Sequence, residues 1–185
     1  MSYNEPNDLT SKYKVIGQQY SENELQDELD RAHRKLDNNV GEQFVQVVRA
    51  SFEDQEEFNL TFSELISFER AYFVQRDSEI DSSNFDVDLT TGTVTFTTSF
   101  AEDNISKNTR IMFEYVPTRY KDLELWYAVL SLIRTTSLQT REGETSISVD
   151  EAKNHVEEIE NSIREKYGNR LVLDHQPRFA VNNRW

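Results

Sequence analysis

The chain has 185 residues, 34 acidic and 20 basic side chains, a formal charge of −14 and no cysteine. This length suits one ordinary domain with a sizeable buried interior, and the missing thiol excludes disulfides, thiolate metal sites and a cysteine nucleophile. The acid excess argues against direct binding to nucleic acid, whose phosphates require a basic footprint.

Met1 to Thr10 lacks the basic and apolar regions of a signal peptide. No apolar run approaches the roughly 20 residues of a membrane span. A soluble chain made in the cytoplasm is therefore expected, and the glycosylation triplets at Asn59 and Asn104 read as chance matches. Only 7 of the 20 basic residues are lysine. Acid excess with few lysines is a pattern salt-adapted chains show, because high ionic strength screens self-repulsion.

The first clear element opens at Ser21-Glu22-Asn23-Glu24, a capping box in which serine and glutamate satisfy each other's amides. Tyr20 and Leu25 are placed as its apolar staple. Leu25, Leu29, Ala32, Leu36 and Val40 then form one helical stripe that Gly41 stops, leaving Asp27, Glu28, Arg31, Arg34 and Lys35 on a wet face. Residues 42–57 suit a short helix or a strand and mark only a boundary.

From Phe58 to Pro117 the period falls to two: Phe58–Phe62, Phe85–Leu89, Val94–Phe96 and Ile111–Tyr115 read as strands, with Glu69–Val74 as a fifth. Gly92 supplies the positive φ of a hairpin turn. About five strands make a small antiparallel module. Lys121 to Leu138 returns to helix, with apolar residues around nearly its whole circumference, so this helix is expected at the centre. A second capping box at Ser148-Val149-Asp150-Glu151 begins a helix striped by Ala152, Val156, Ile159, Ile163 and Tyr167 and stopped by Gly168. The two striped helices are expected to pack on the central one. The resulting class is α+β: a small helical bundle of three main helices, an inserted antiparallel β module and an extended C-terminal tail. Its parts are residues 1–57, 58–118, 119–168 and 169–185.

Residues 169–185 set three arginines against one aspartate and mix in Leu171, Val172, Leu173, Phe179, Val181 and Trp185. That is too apolar for an idle spacer, and arginine and tryptophan are enriched at interfaces. Arg170, Arg178, Phe179, Arg184 and Trp185 are the candidate partner-binding residues. A last strand folded back on its own domain is the plainer alternative.

Catalytic chemistry finds little material. His33, His155 and His175 stand on separate segments, and Glu151, His155 and Glu158 share a helix face without the Glu-x-x-His pairing of di-iron sites, so a solvated charged face is the simpler reading. Asp86 and Asp88 leave one side of a strand and are spaced to flank a hard cation, yet no calcium-loop spacing accompanies them. No phosphate-cradling glycine loop, zinc motif or nucleophile elbow occurs. No cofactor and no metal are expected, and the chain reads as a non-enzyme, although a serine triad is not legible from spacing.

The order helix, β insert, central helix, helix, apolar tail resembles the head-to-tail connector (adaptor) family of tailed phages and archaeal tailed viruses. Tyr20-Ser21-Glu22-Asn23-Glu24-Leu25-Gln26-Asp27-Glu28-Leu29-Asp30-Arg31-Ala32 is similar to that family's opening helix, and Lys121-Asp122-Leu123-Glu124-Leu125-Trp126-Tyr127-Ala128 to its buried helix. Phe85 to Phe96 with Phe113-Glu114-Tyr115-Val116-Pro117 is similar to a β module common in virion proteins, and is a departure from the small all-helical members. The resemblance implies a virion protein of the neck: a homo-oligomeric ring, commonly of twelve subunits, that binds the portal protein and a tail or head-closure protein. DNA would pass through it without specific binding, and no membrane is involved. Residues 1–57 carry 13 acidic and 6 basic side chains, which suits a channel wall that repels phosphate. The alternatives are another virion ring protein (head closure or tail terminator) and a cytoplasmic module whose β insert binds a peptide or sugar.

Overall fold

The computed structural model describes residues 2–13, 16, 19–135 and 148–168. Among them, five helices and seven strands have bounds: α1 (Pro6–Lys12), α2 (Glu22–Val40), β1 (Phe44–Arg49), β2 (Glu57–Asn59), β3 (Leu65–Phe73), β4 (Ser78–Ile80), β5 (Phe85–Asp88), β6 (Thr93–Phe96), α3 (Thr98–Asn104), β7 (Arg110–Pro117), α4 (Thr118–Thr135) and α5 (Val149–Gly168). The chain is α+β and both its sheets are antiparallel throughout.

Local chemistry sets the helix ends. Ser21 N donates to Glu24 Oε2 at 2.8 Å while Ser21 Oγ accepts from Glu24 N at 3.4 Å, closing the box ahead of α2. Gly41, at φ +91°, ends the helix in a conformation that a β-carbon would penalise. Ser148 Oγ accepts from Glu151 N at 3.1 Å ahead of α5. Along α4, Tyr120, Leu123, Leu125, Tyr127, Ala128, Val129, Leu130, Leu132 and Ile133 are all buried. That helix packs against both α2 and α5. Tyr20 joins this contact from outside α2, its hydroxyl donating to Leu132 O at 3.3 Å. Glu28, expected on the wet face of α2, is instead only 9 % exposed and held by Arg31 at 3.0 Å.

Among the described residues the strands number seven rather than five. They form a four-stranded sheet in the order β1-β7-β3-β4 and a three-stranded sheet in the order β2-β6-β5. The additional members are β1, drawn from the stretch whose secondary structure is ambiguous in sequence, and the short β4. Phe58 to Phe62 is a strand only as far as Asn59.

Aromatic side chains fill the space between the sheets. Phe58 meets Phe96 edge-on at 5.7 Å and Phe113 at 6.0 Å, and Phe68, Phe85 and Phe100 extend the cluster. Each fully buried ring contributes roughly 1.5–3 kcal/mol, so this interior and the face around α4 dominate the stability. Gln46 crosses the interior as a polar tie, accepting from Tyr115 Oη at 2.8 Å and from Thr61 N at 2.8 Å. The hairpin between β5 and β6 turns at Gly92, φ +67°, where an added β-carbon would lie 2.2 Å from Phe62 O. Asp88 closes the turn by accepting from Thr90 N at 2.8 Å and Thr91 N at 3.2 Å.

Candidate functional site

A buried polar junction lies where α4 meets α2 and the N-terminal segment. Glu124, fully buried in an otherwise apolar stretch of α4, accepts four hydrogen bonds: Tyr3 N at 2.9 Å and His33 Nδ1 at 2.8 Å on Oε2, Asn4 N at 2.9 Å and Asn4 Nδ2 at 3.0 Å on Oε1. Because this carboxylate has only acceptor sites to offer, His33 holds its proton on Nδ1. Nε2 of the same ring faces Asp37 Oδ2 at 3.7 Å. The Tyr3 ring packs edge-on against His33 at 4.7 Å, and burial, followed by the charges of Asp37 and Glu124, pushes its phenol up to about 12. Every donor serves to hold one segment of chain against another. A buried carboxylate satisfied by four donors is a structural clamp, although Asn4 Oδ1 and Asp37 Oδ1 beside it are buried without a hydrogen-bond partner.

A second polar contact joins the three long helices. Tyr127 Oη donates to Glu160 Oε1 and accepts from Asn39 Nδ2 at 2.8 Å, while Lys35 Nζ lies 4.1 Å above the ring. Burial first, and the Glu160 bond second, raise the phenol's pKa.

His155 stacks on Trp126 at 4.3 Å, and Glu151 and Glu158 stay exposed beside it. Asp86 is exposed on β5, and Asp88 is committed to its turn. Among the described residues no group of three or more metal-ligating side chains converges. Arg170, Arg178, Phe179, Arg184 and Trp185 lie outside the described residues, as does His175.

Two surface features have no counterpart in the sequence reading. A half-open polar cleft of about 360 Å³ separates the loop after β2 from the ends of α4 and α5, lined by Phe62, Glu64, Thr118, Arg119, Asp122 and Lys166. Lys166 Nζ lies 4.2 Å above the Phe62 ring. Two cations and two carboxylates face this space. The other feature is the outer side of β1, where Val47 is 46 % exposed, with Phe52 just beyond it at 58 %. Both depend on contacts between residues far apart in the chain, which no local spacing announces.

No protein-family model and no curated protein matches the chain. Among the described residues no helix is long and apolar enough to cross a membrane.

Proposed function

We propose that this chain is a virion structural protein, a head-to-tail connector that works as a ring of identical subunits between portal and tail. One observation carries the reading. The two stretches similar to the connector family, Tyr20–Ala32 and Lys121–Ala128, fold into helices that pack directly on one another, α2 outside and α4 buried. In this reading α2, α4 and α5 are the three-helix bundle of a connector, residues 44–117 are the insert, and residues 169–185 are a tail that grips the portal or the neighbouring subunit through Arg170, Arg178, Phe179, Arg184 and Trp185. The acidic N-terminal part lines the channel and keeps passing DNA from adhering, because like charge disfavours phosphate binding. Neither catalysis nor a cofactor enters this role, and the finished protein resides in the virion neck.

Native mass spectrometry and negative-stain imaging of the purified chain, alone and mixed with a portal protein from the same genome, test the proposal. Closed rings and a portal complex that is lost on deleting residues 169–185 are expected. A monomer that ignores the portal would overturn it. The cleft beside Lys166 favours a second reading, a peptide- or sugar-binding module. For that module, a monomer whose Thr61–Glu64 and Arg119 resonances shift on adding a ligand is the expected result.

A further inference from the structure

β1 is an outermost strand, hydrogen-bonded to β7 on one side only. At the end of this pair Ala50 N donates to Thr109 O at 2.8 Å. The two-residue period of an antiparallel ladder then points the amides and carbonyls of Val48, Gln46 and Phe44 at β7 as well. The far side of β7 agrees, since Val74 N donates to Arg110 O and so assigns Arg110, Met112 and Glu114 to β3. Val45, Val47 and Arg49 therefore turn their backbone groups away from the sheet, and among the described residues no strand pairs with them.

Free edges are commonly guarded by lysine, proline or a bulge. β1 has none of these over six registered pairs, and only Arg49 at its end is charged. The two most exposed large apolar side chains among the described residues, Val47 and Phe52, stand along and just past this edge. An open edge with apolar flanks is a template for an added strand.

We propose that the β1 edge receives an extended strand from an identical neighbour, residues 170–173 of one copy running antiparallel to Phe44–Arg49 of the next. This deepens the ring reading and rests on it. An antiparallel donor enters at the Arg49 end, where exposed Glu53, Asp54 and Glu57 outnumber Arg49 and Arg110, so Arg170 arrives at an end of net negative charge and Leu171-Val172-Leu173 lies along Val45 and Val47. The chain's own segment starts at the opposite end of the edge, because Lys166 covers Phe62 and the Phe62 ring meets the Phe44 ring at 4.9 Å. Running from there along its own β1 it would be parallel, in a protein whose strand pairs are otherwise antiparallel. Arg170 stands two residues past Gly168, a reach of about 7 Å, so in the ring the end of α5 abuts the Arg49 end of the neighbour's β1 edge. A donor site and an acceptor site on each copy make the contact heterologous, the kind that closes into rings.

The test uses the full chain and two variants. Val47→Pro removes an outward amide without touching the β7 ladder, a position where edge strands tolerate proline. Val172→Pro disables the donor and leaves β1 intact. Sedimentation and hydrogen–deuterium exchange of residues 44–49 are measured over a range of concentrations. Expected are slow exchange at Val45, Val47 and Arg49 in assembled wild type, at least tenfold faster exchange on dilution, and smaller species for either variant alone. Mixing the variants should yield heterodimers, since one keeps a working donor and the other a working acceptor. Rings whose β1 edge exchanges fast would overturn this contact and leave the ring reading standing. Protection that persists in a monomer would assign the donor to the same chain and overturn the neighbour. A monomer with a fast-exchanging edge at all concentrations would overturn both readings together.

Discussion

Replacing Glu124 by alanine removes at one stroke the acceptor of four hydrogen bonds, and the cost follows from what is left behind. Tyr3 N, Asn4 N, Asn4 Nδ2 and His33 Nδ1 lose their partner at a site that is fully buried in the native chain. A hydrogen bond to a charged group is worth about 1.5–3 kcal/mol, and a stranded buried donor costs about 1–3 kcal/mol. Four such penalties do not add, because the freed N-terminal segment can swing toward water. Deleting one partner of a buried charged contact costs about 3–5 kcal/mol in practice, which is the expected loss here. For a domain of this size, each kcal/mol lowers Tm by roughly 2–4 °C. Glu124→Gln separates charge from shape. The amide keeps one oxygen but presents an NH2 to two of the four donors; His33 can change tautomer to accept, whereas a backbone N–H cannot. One conflict remains, and about 1–3 kcal/mol is expected. Urea denaturation gives the magnitudes, and amide exchange at Tyr3 and Asn4 shows whether the segment detaches. An alanine variant within about 0.5 kcal/mol of wild type, a margin typical of surface changes, would refute the clamp.

Three other outcomes follow from the same structure. Gly92→Ala should cost at least about 2 kcal/mol in urea denaturation, combining strain at φ +67° with a β-carbon 2.2 Å from Phe62 O; wild-type stability would show that the loop after β2 gives way. Tyr3 has a phenol raised from its ordinary 10 to about 12, so its contribution is fully present below pH 10 and is lost as pH rises toward 12. Absorbance titration should lose one late phenol in Tyr3→Phe relative to wild type, and the same change should flatten the fall in stability over that interval. Ser21→Ala should cost about 1 kcal/mol and fray the start of α2 by amide exchange, because Glu24 N loses its acceptor.

Much of the helical part is legible in sequence because its signals are local. The capping box at Ser21, the Ser148 hydroxyl that accepts from Glu151 N, the stop at Gly41 and the apolar circumference of α4 each involve residues within a turn or two of one another. Strand β1 is less legible. Val45, Val47 and Val48 satisfy either period, and the choice is made by β7, more than sixty residues away. The same distance hides the clamp: Tyr3 and Asn4 are some 120 residues from Glu124. One signal for it was present, since a carboxylate within Leu123-Glu124-Leu125 on a helix with no wet side requires buried donors from elsewhere. α1 was missed although its signal is local, with Pro6 at the first helical position and Asp8 Oδ2 accepting from Glu5 N at 3.0 Å. The Glu28 side chain shows the limit of a helical wheel, which assigns a face without knowing what else will lie on it.

Two of the four groups that serve Glu124 belong to the main chain, and every amino acid except proline brings the same N–H to that place. The clamp thus dictates the route taken by the peptide at positions 3 and 4 more strictly than the letters written there. Side-chain swaps at Tyr3 should be forgiven where a proline is not, and a fusion joined ahead of Ser2 needs a linker that leaves this route undisturbed.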